Sequence, residues 1–155
     1  MNARQPTLLD TAPAKTIVAY IDGGARGNPG PAGYGVRIEA HDGELIDEFH
    51  ASIGIATNNV AEYRGLIAAL RYAIDHGWRN VWVRSDSQLL VRQMLGTYRV
   101  KHPGLQPLHR EACALAEQLE RVTYEHVRRE ENVHADRLAN VAMDRGLGNR
   151  AQGPG

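Results

Sequence analysis

Four acidic residues stand where the pattern around them would bring them together. Asp22 closes an uninterrupted apolar run, Ile17 to Ile21, and is followed by Gly23 and Gly24. Asp86 closes a second short run, Asn80 to Ser85, in which Val81 and Val83 alternate with Trp82. Glu62 and Asp136 lie instead near the starts of two segments with helical spacing. Singly, each acid has an ordinary reading as a turn residue, a helix-dipole partner or a surface charge. Packed together at one partly buried edge, four carboxylates would repel one another and take up protons unless a cation neutralised them. An all-oxygen ligand set selects a hard ion, Mg2+, over zinc, which would call for clustered His and Cys. Two such ions about 3.5 to 4 Å apart can bracket a phosphodiester, one activating the attacking water and the other stabilising the leaving oxygen. Hydrolysis of a nucleic-acid backbone is the matching chemistry. The sequence contains neither a GxxxxGK phosphate loop nor a GxSxG nucleophile turn, which argues against an NTPase and a serine hydrolase.

The elements that must position these acids follow from periodicity. Ile17 to Ile21 reads as a central strand buried on both faces, and Gly33–Glu39 and Glu44–Ile53 as two more strands joined by a turn at His41, Asp42 and Gly43. In such a three-strand meander the first and third strands run parallel, so the next segment emerges at the edge that presents Asp22. That segment is a helix starting after Asn58 and running to about His76, with Leu66, Ala69, Leu70 and Ala73 on one face. Glu62 continues the apolar stripe and should point inward. A helical crossover makes the Asn80–Ser85 strand parallel to its predecessor, which brings Asp86 to the same edge. Helices over Ser87–Leu95 and Gly104–Glu120 follow, then a strand from Val122 to Arg128 and a last helix from about Asn132 with Asp136 in its first turn.

Bulk properties fit one domain. The chain has 155 residues, 43% hydrophobic, and its 18 Lys+Arg balance 18 Asp+Glu, so nucleic-acid binding would rest on a local patch and on shape. Residues 1–14 and 146–155 lack periodicity and read as flexible tails around a catalytic domain at 15–145. The single cysteine, Cys113, excludes an internal disulfide and reads as a small buried hydrophobe in a reducing, cytoplasmic setting. No signal peptide or membrane-length apolar stretch is expected.

Four segments carry a family resemblance: YIDGGARGNPGPAGYG, TNNVAEYRGLIAAL, RSDSQLLVRQM and ENVHADRLAN, in that order. Together they resemble type 1 ribonuclease H over Ile17 to about Met143. The resemblance implies an α/β ribonuclease H-like fold: a five-stranded mixed sheet, antiparallel meander plus two parallel strands, flanked by helices. It assigns Asp22, Glu62, Asp86 and Asp136 as catalytic metal ligands for two Mg2+ ions, with Mn2+ as a substitute. It implies an endonuclease cutting the RNA strand of an RNA/DNA hybrid, leaving 5′-phosphate and 3′-hydroxyl ends and acting as a monomer with no obligatory protein or membrane partner. Gly23 and Gly24 would let backbone approach a sugar-phosphate. Asn28, Asn58, Asn59 and Gln88 match positions that contact RNA, and Thr57 one that touches a DNA phosphate. Amides suit 2′-hydroxyls and minor-groove edges because they both donate and accept. The alternative is a module that binds hybrids without cutting them.

Two departures from the resemblance stand out. The basic, Trp-containing protrusion of many members is here the short GTYRVKHPGLQPLHR, whose cations are Arg99, Lys101 and Arg110, which leaves double-stranded RNA open as a substrate. The histidine that many members carry before the last helix has no clear counterpart. His126 is expected inside a strand and His134 on the far side of a helix, so Arg128, Arg129 or Glu130 would stand in.

Overall fold

The apolar runs assemble as five strands and four helices in the computed structural model, which describes residues 15–152; the tail expected at residues 1–14 lies outside them. In chain order these are β1 (Thr16–Ala25), β2 (Gly30–Ala40), β3 (Leu45–Ala56), α1 (Asn58–Asp75), β4 (Asn80–Ser85), α2 (Gln88–Leu95), α3 (Gln106–Glu117), β5 (Arg121–His126) and α4 (Val133–Gln152). The sheet order is β3-β2-β1-β4-β5. β1 pairs antiparallel with β2 and parallel with β4, β2 antiparallel with β3, and β4 parallel with β5. This is the mixed sheet expected above.

β1 is central because it can be buried on both faces. Ile17, Ala19 and Ile21 join Leu66, Leu70 and Ala73 of α1 and Val81 and Val83 of β4 in one core. Burying each such Leu, Ile or Val side chain stabilises the fold by about 1.5–3 kcal/mol. The opposite face, beneath α4, takes a different solution. A Cβ at Gly35 would lie 2.4 Å from the Leu138 Cβ, and one at Gly33 would lie 2.6 Å from the Ala142 Cβ. Gly33 and Gly35 of β2 therefore let α4 settle directly onto the sheet.

Boundaries depart from the expectations in physically readable ways. α1 includes Asn58, because Thr57 is its N-cap and accepts from the Val60 amide at 3.2 Å. β5 stops at His126, where the sheet partner β4 has also ended. α4 runs to Gln152 and takes in residues 146–152, which the sequence reading gave to a tail; a Cβ at Gly146 would find its nearest neighbours, Ser52 and Pro31, at ordinary van der Waals distance, and the next proline is Pro154. Cys113 is partly buried, with its thiol 3.6 Å from His109 Nε2 and pushed up by desolvation. Among the described residues no helix is long and apolar enough to cross a membrane.

Candidate active site

Register alone places two of the acids side by side. Ile21 of β1 is level with Ser85, the last residue of the parallel strand β4, so Asp22 and Asp86 follow side by side; β1 does not end at Asp22, as the apolar run suggested, but continues along β2 to Ala25. Glu62, fifth residue of α1, reaches them because the helix crosses β1 very closely: a Cβ on Gly23 would sit 2.4 Å from the Ala61 carbonyl carbon. The Gly23 amide then donates to Glu62 Oε1 at 2.8 Å. Carboxylate oxygens of Asp22, Glu62 and Asp86 all lie within 4.8 Å of one another. Gly23 thus has a reason that the sequence reading did not give. It makes room for α1, and its amide is already engaged by Glu62.

Asp136 arrives from the other face. Asn132 is buried just before α4; its carbonyl accepts from the Asp136 amide at 3.0 Å and its Nδ2 donates to the Ile21 carbonyl at 2.8 Å. The helix is thereby pinned one residue before Asp22. The Asp136 carboxylate stands outside the tight group of three and has Arg129 Nη2 at 3.9 Å.

The electrostatics are those of an uncompensated cluster. Desolvation, then repulsion by Glu62, Asp86 and Asp136, pushes the Asp22 carboxyl up to about 9. Desolvation likewise raises Glu62 to about 7, against the Gly23 amide, which favours its charged form. Asp86 is also raised by desolvation, with Arg129 and more weakly His126 opposing. The group therefore either holds protons or takes a cation. Its donors are all carboxylate oxygens, which fit a hard divalent ion such as Mg2+.

These acids line a cleft of about 510 Å3 together with Gly23, Gly24, Asn58 and Asn59. Asn28, Thr57 and Gln88 do not line it. Thr57 spends its hydroxyl as the helix cap, and Asn28 Oδ1 accepts from the Asn58 amide at 2.9 Å. Asn58 in turn accepts from the Ala25 amide at 2.8 Å, so this amide pair fastens the β1–β2 turn to α1. Gln88 is exposed at the start of α2. His134 faces a separate small pocket with Tyr20 and Glu39, as its helical offset from Asp136 implied. His126 is closer than expected: it ends β5 level with Ser85, near enough for its charge to act on Asp86.

The sequence reading missed Arg26, Ser87 and Asn140, which also line the cleft. The signals were present. Arg26 follows β1 directly, four residues after Asp22 and at the start of the bend before β2. Asp136 and Asn140 share one face of α4 by the helical spacing of four. Ser87 caps α2 with its hydroxyl and, beside Glu62, also favours that carboxylate's charged form.

Known proteins align with this geometry. Residues 20–142 match the reverse transcriptase-like family. The bifunctional protein Rv2228c of Mycobacterium tuberculosis is 53% identical over 129 residues, 83% of this chain but 35% of its own length. Ribonuclease HI of Halobacterium salinarum is 43% identical over 128 residues, covering 83% of this chain and 64% of that protein. The chain thus spans less than two thirds of either relative. The solved complex of LC11-RNase H1 with an RNA/DNA hybrid superposes with a TM-score of 0.80 at 44% identity, over 84% of this chain and 99% of that one. With that match across most of its length, and with the strand order and acid placement described above, the chain belongs to the reverse transcriptase-like family and is a ribonuclease H-like protein.

Proposed function

We propose that the protein is a divalent-metal-dependent endonuclease that hydrolyses the RNA strand of RNA/DNA hybrids. The observation that carries this reading is the convergence of Asp22, Glu62 and Asp86 within 4.8 Å, with Asp136 beside them, in an open cleft. The hybrid bound by LC11-RNase H1 and the name of the halobacterial relative support the choice of substrate.

In this reading the four carboxylates hold Mg2+. Bound there, divalent cations would ease deprotonation of a water and stabilise the oxygen that leaves phosphorus. The chain's own residues do the rest. Gly23 and Ser87 orient Glu62 and partly oppose the desolvation that raises its pKa. Asn58 and Asn59 line the cleft beside the acids, where amides can meet 2′-hydroxyls. Arg129, also in the cleft, can stabilise phosphate charge but, permanently protonated, cannot serve as a base. Water oxygen attacks phosphorus and the bond to the 3′ oxygen breaks, giving a 3′-hydroxyl and a 5′-phosphate.

The test is a cleavage assay on end-labelled RNA/DNA, RNA/RNA and DNA/DNA duplexes with Mg2+, Mn2+ or chelator. Cutting confined to RNA strands, abolished by chelator, is expected. Equal cutting of duplex DNA would favour a nuclease that does not read the 2′-hydroxyl, and binding without cutting would favour a hybrid-binding module. A DNA strand carrying a single ribonucleotide should be a poor substrate, improving with a run of about four, because several 2′-hydroxyls must be engaged.

A further inference from the structure

We propose that Arg26 is a substrate-positioning residue whose guanidinium, held at the lip of the cleft by Asn140 and Asp144, takes a phosphate of the strand being cut. The inference rests on the nuclease reading above and names a part of that site which the carboxylates do not supply.

The geometry begins with the strand. Arg26 is the first residue beyond β1, four after Asp22, in the bend that leads to β2, and Gly24 between them carries no side chain to screen it from the acids. The guanidinium therefore borders the same cleft as the acids. It is also fixed there. Nη2 donates to Asn140 Oδ1 at 2.8 Å and to Asp144 Oδ1 at 2.9 Å, and Nε donates to Asp144 Oδ1 at 3.2 Å. Asn140 is itself oriented, because its Nδ2 donates to the Asp136 carbonyl at 2.8 Å, which leaves Oδ1 to face Arg26. One helix stripe, Asp136, Asn140 and Asp144, thus carries a metal-site acid at one end and the arginine's support at the other.

A guanidinium has five N–H donors. Nε and Nη2 use theirs on α4; among the described residues nothing pairs with Nη1, so two donors stay available on a group whose orientation is already set. As a structural tie alone the arrangement would contribute little. The Arg26 and Asp144 side chains are 38% and 63% exposed, and ion pairs that exposed add little to stability. As a preoriented cation it has a clear task. The cleft is lined by four carboxylates and two guanidiniums, Arg26 and Arg129, and of these two Arg129 is 81% exposed with only a 3.9 Å approach to Asp136. A polyanionic strand needs positive charge beside those acids, and Arg26 supplies it with little left to immobilise on binding.

The experiment scans hybrids in which one phosphate of the RNA strand is replaced by a neutral methylphosphonate, position by position, with the full chain in Mg2+. At one position the parent should show KM raised about tenfold with kcat within about twofold, as for loss of a single phosphate contact. Arg26→Ala should raise KM on the unmodified hybrid by a similar factor, and should be insensitive to the methylphosphonate at that position. Its log KM should depend less steeply on log salt, by about one phosphate's worth. Arg26→Lys should recover part of the loss. Asp144→Ala, which frees the arginine without removing its charge, should fall between parent and Arg26→Ala. Arg26→Gln serves as the second variant should Arg26→Ala melt early. If Arg26→Ala and Asp144→Ala are equal in KM and melting temperature, and every methylphosphonate effect survives in Arg26→Ala, the residue is a structural tie only and the proposal is overturned. A parent that cuts no hybrid at all would instead overturn the nuclease reading, and this inference with it.

Discussion

Glu62 and Asp136 enter one cleft from near the starts of two helices, yet the two acids are held differently. On the α1 side the helix is pressed against β1 through Gly23, and Glu62 is partly buried, bonded to the Gly23 amide and raised in pKa by desolvation. On the α4 side the helix packs just as closely, on Gly33 and Gly35 of β2, and is further tied by Asn132 to Ile21 and Arg26 to Asn140 and Asp144, but the Asp136 carboxylate itself stands outside the group of three, with Arg129 Nη2 at 3.9 Å. The contrast separates a preformed group of three carboxylates from a fourth that stands apart. Preformed geometry is what a metal site needs, and an approach by a less constrained acid suits a step in which substrate comes and goes.

That division predicts an ordering of effects. Asp86→Asn, Asp22→Asn and Glu62→Gln should each lose at least about a thousandfold in kcat while remaining folded, since an amide supplies neither the charge nor the ligand geometry. Asp136→Asn should lose less than about a hundredfold, with activity partly restored by raising Mg2+. Single-turnover rates on a labelled hybrid, beside circular-dichroism melts, check both. Equal losses at all four positions would erase the distinction between the two sides.

The helix contacts can be broken as well. Gly35→Ala should destabilise the fold by about 1–3 kcal/mol, because the added methyl meets Leu138 and the α4 backbone at under 3 Å. Gly23→Ala should cost a similar amount and, unlike Gly35→Ala, should also cut kcat, because it displaces α1 together with Glu62. Urea titrations and rates on the surviving folded fraction separate the two.

Metal removal should expose the crowding on the α1 side. Asp22 and Glu62 hold protons more tightly in the folded chain than in the unfolded one, so without metal the stability they contribute is present at low pH. It is lost as pH rises from the ordinary carboxylate range through about 7 and on to about 9. Melting temperature in chelator should fall across that window, Asp22→Asn should flatten the fall, and Mg2+ should largely cancel it. A flat profile in the parent would mean that the acids are compensated by some other charge.

The smallest effects are expected at the histidines. His134→Ala and His126→Ala should each keep kcat within about tenfold, with His126 the larger of the two because its charge reaches Asp86. A general acid or base would contribute about 10² to 10⁴. A hundredfold loss at His126 in a folded, hybrid-binding protein would therefore assign it the proton transfer.

The end of β4 was legible in the sequence because Asp86 follows its apolar run directly, whereas β1 outlasts its apolar run and continues past Asp22 to Ala25 along β2. Glu62 was legible because it continues the apolar stripe of Leu66, Ala69, Leu70 and Ala73. What escaped were pairings between distant segments. Asn28 and Asn58 look like free amides until the fold joins them, and Gly23 looks like a substrate-approach glycine until α1 is seen lying on it. His126 lies in its strand as expected, but the strand ends there and not at Arg128, which leaves His126 level with Ser85 and near Asp86.

The bond from Asn132 to the Ile21 carbonyl joins residues 111 positions apart, and that from Arg26 to Asp144 spans 118. During synthesis, β1, α1 and β4 can leave the ribosome with three acids already in reach of one another, long before α4 exists. The nascent chain thus exposes the glycine-rich face of β2 and an incomplete acid cluster until the last helix lands. Loop closure over such separations is slow compared with local helix formation. Nuclease competence would accordingly switch on late, as a single docking event at the end of folding, and a ribosome stalled before residue 133 would display most of the domain with none of that final clasp.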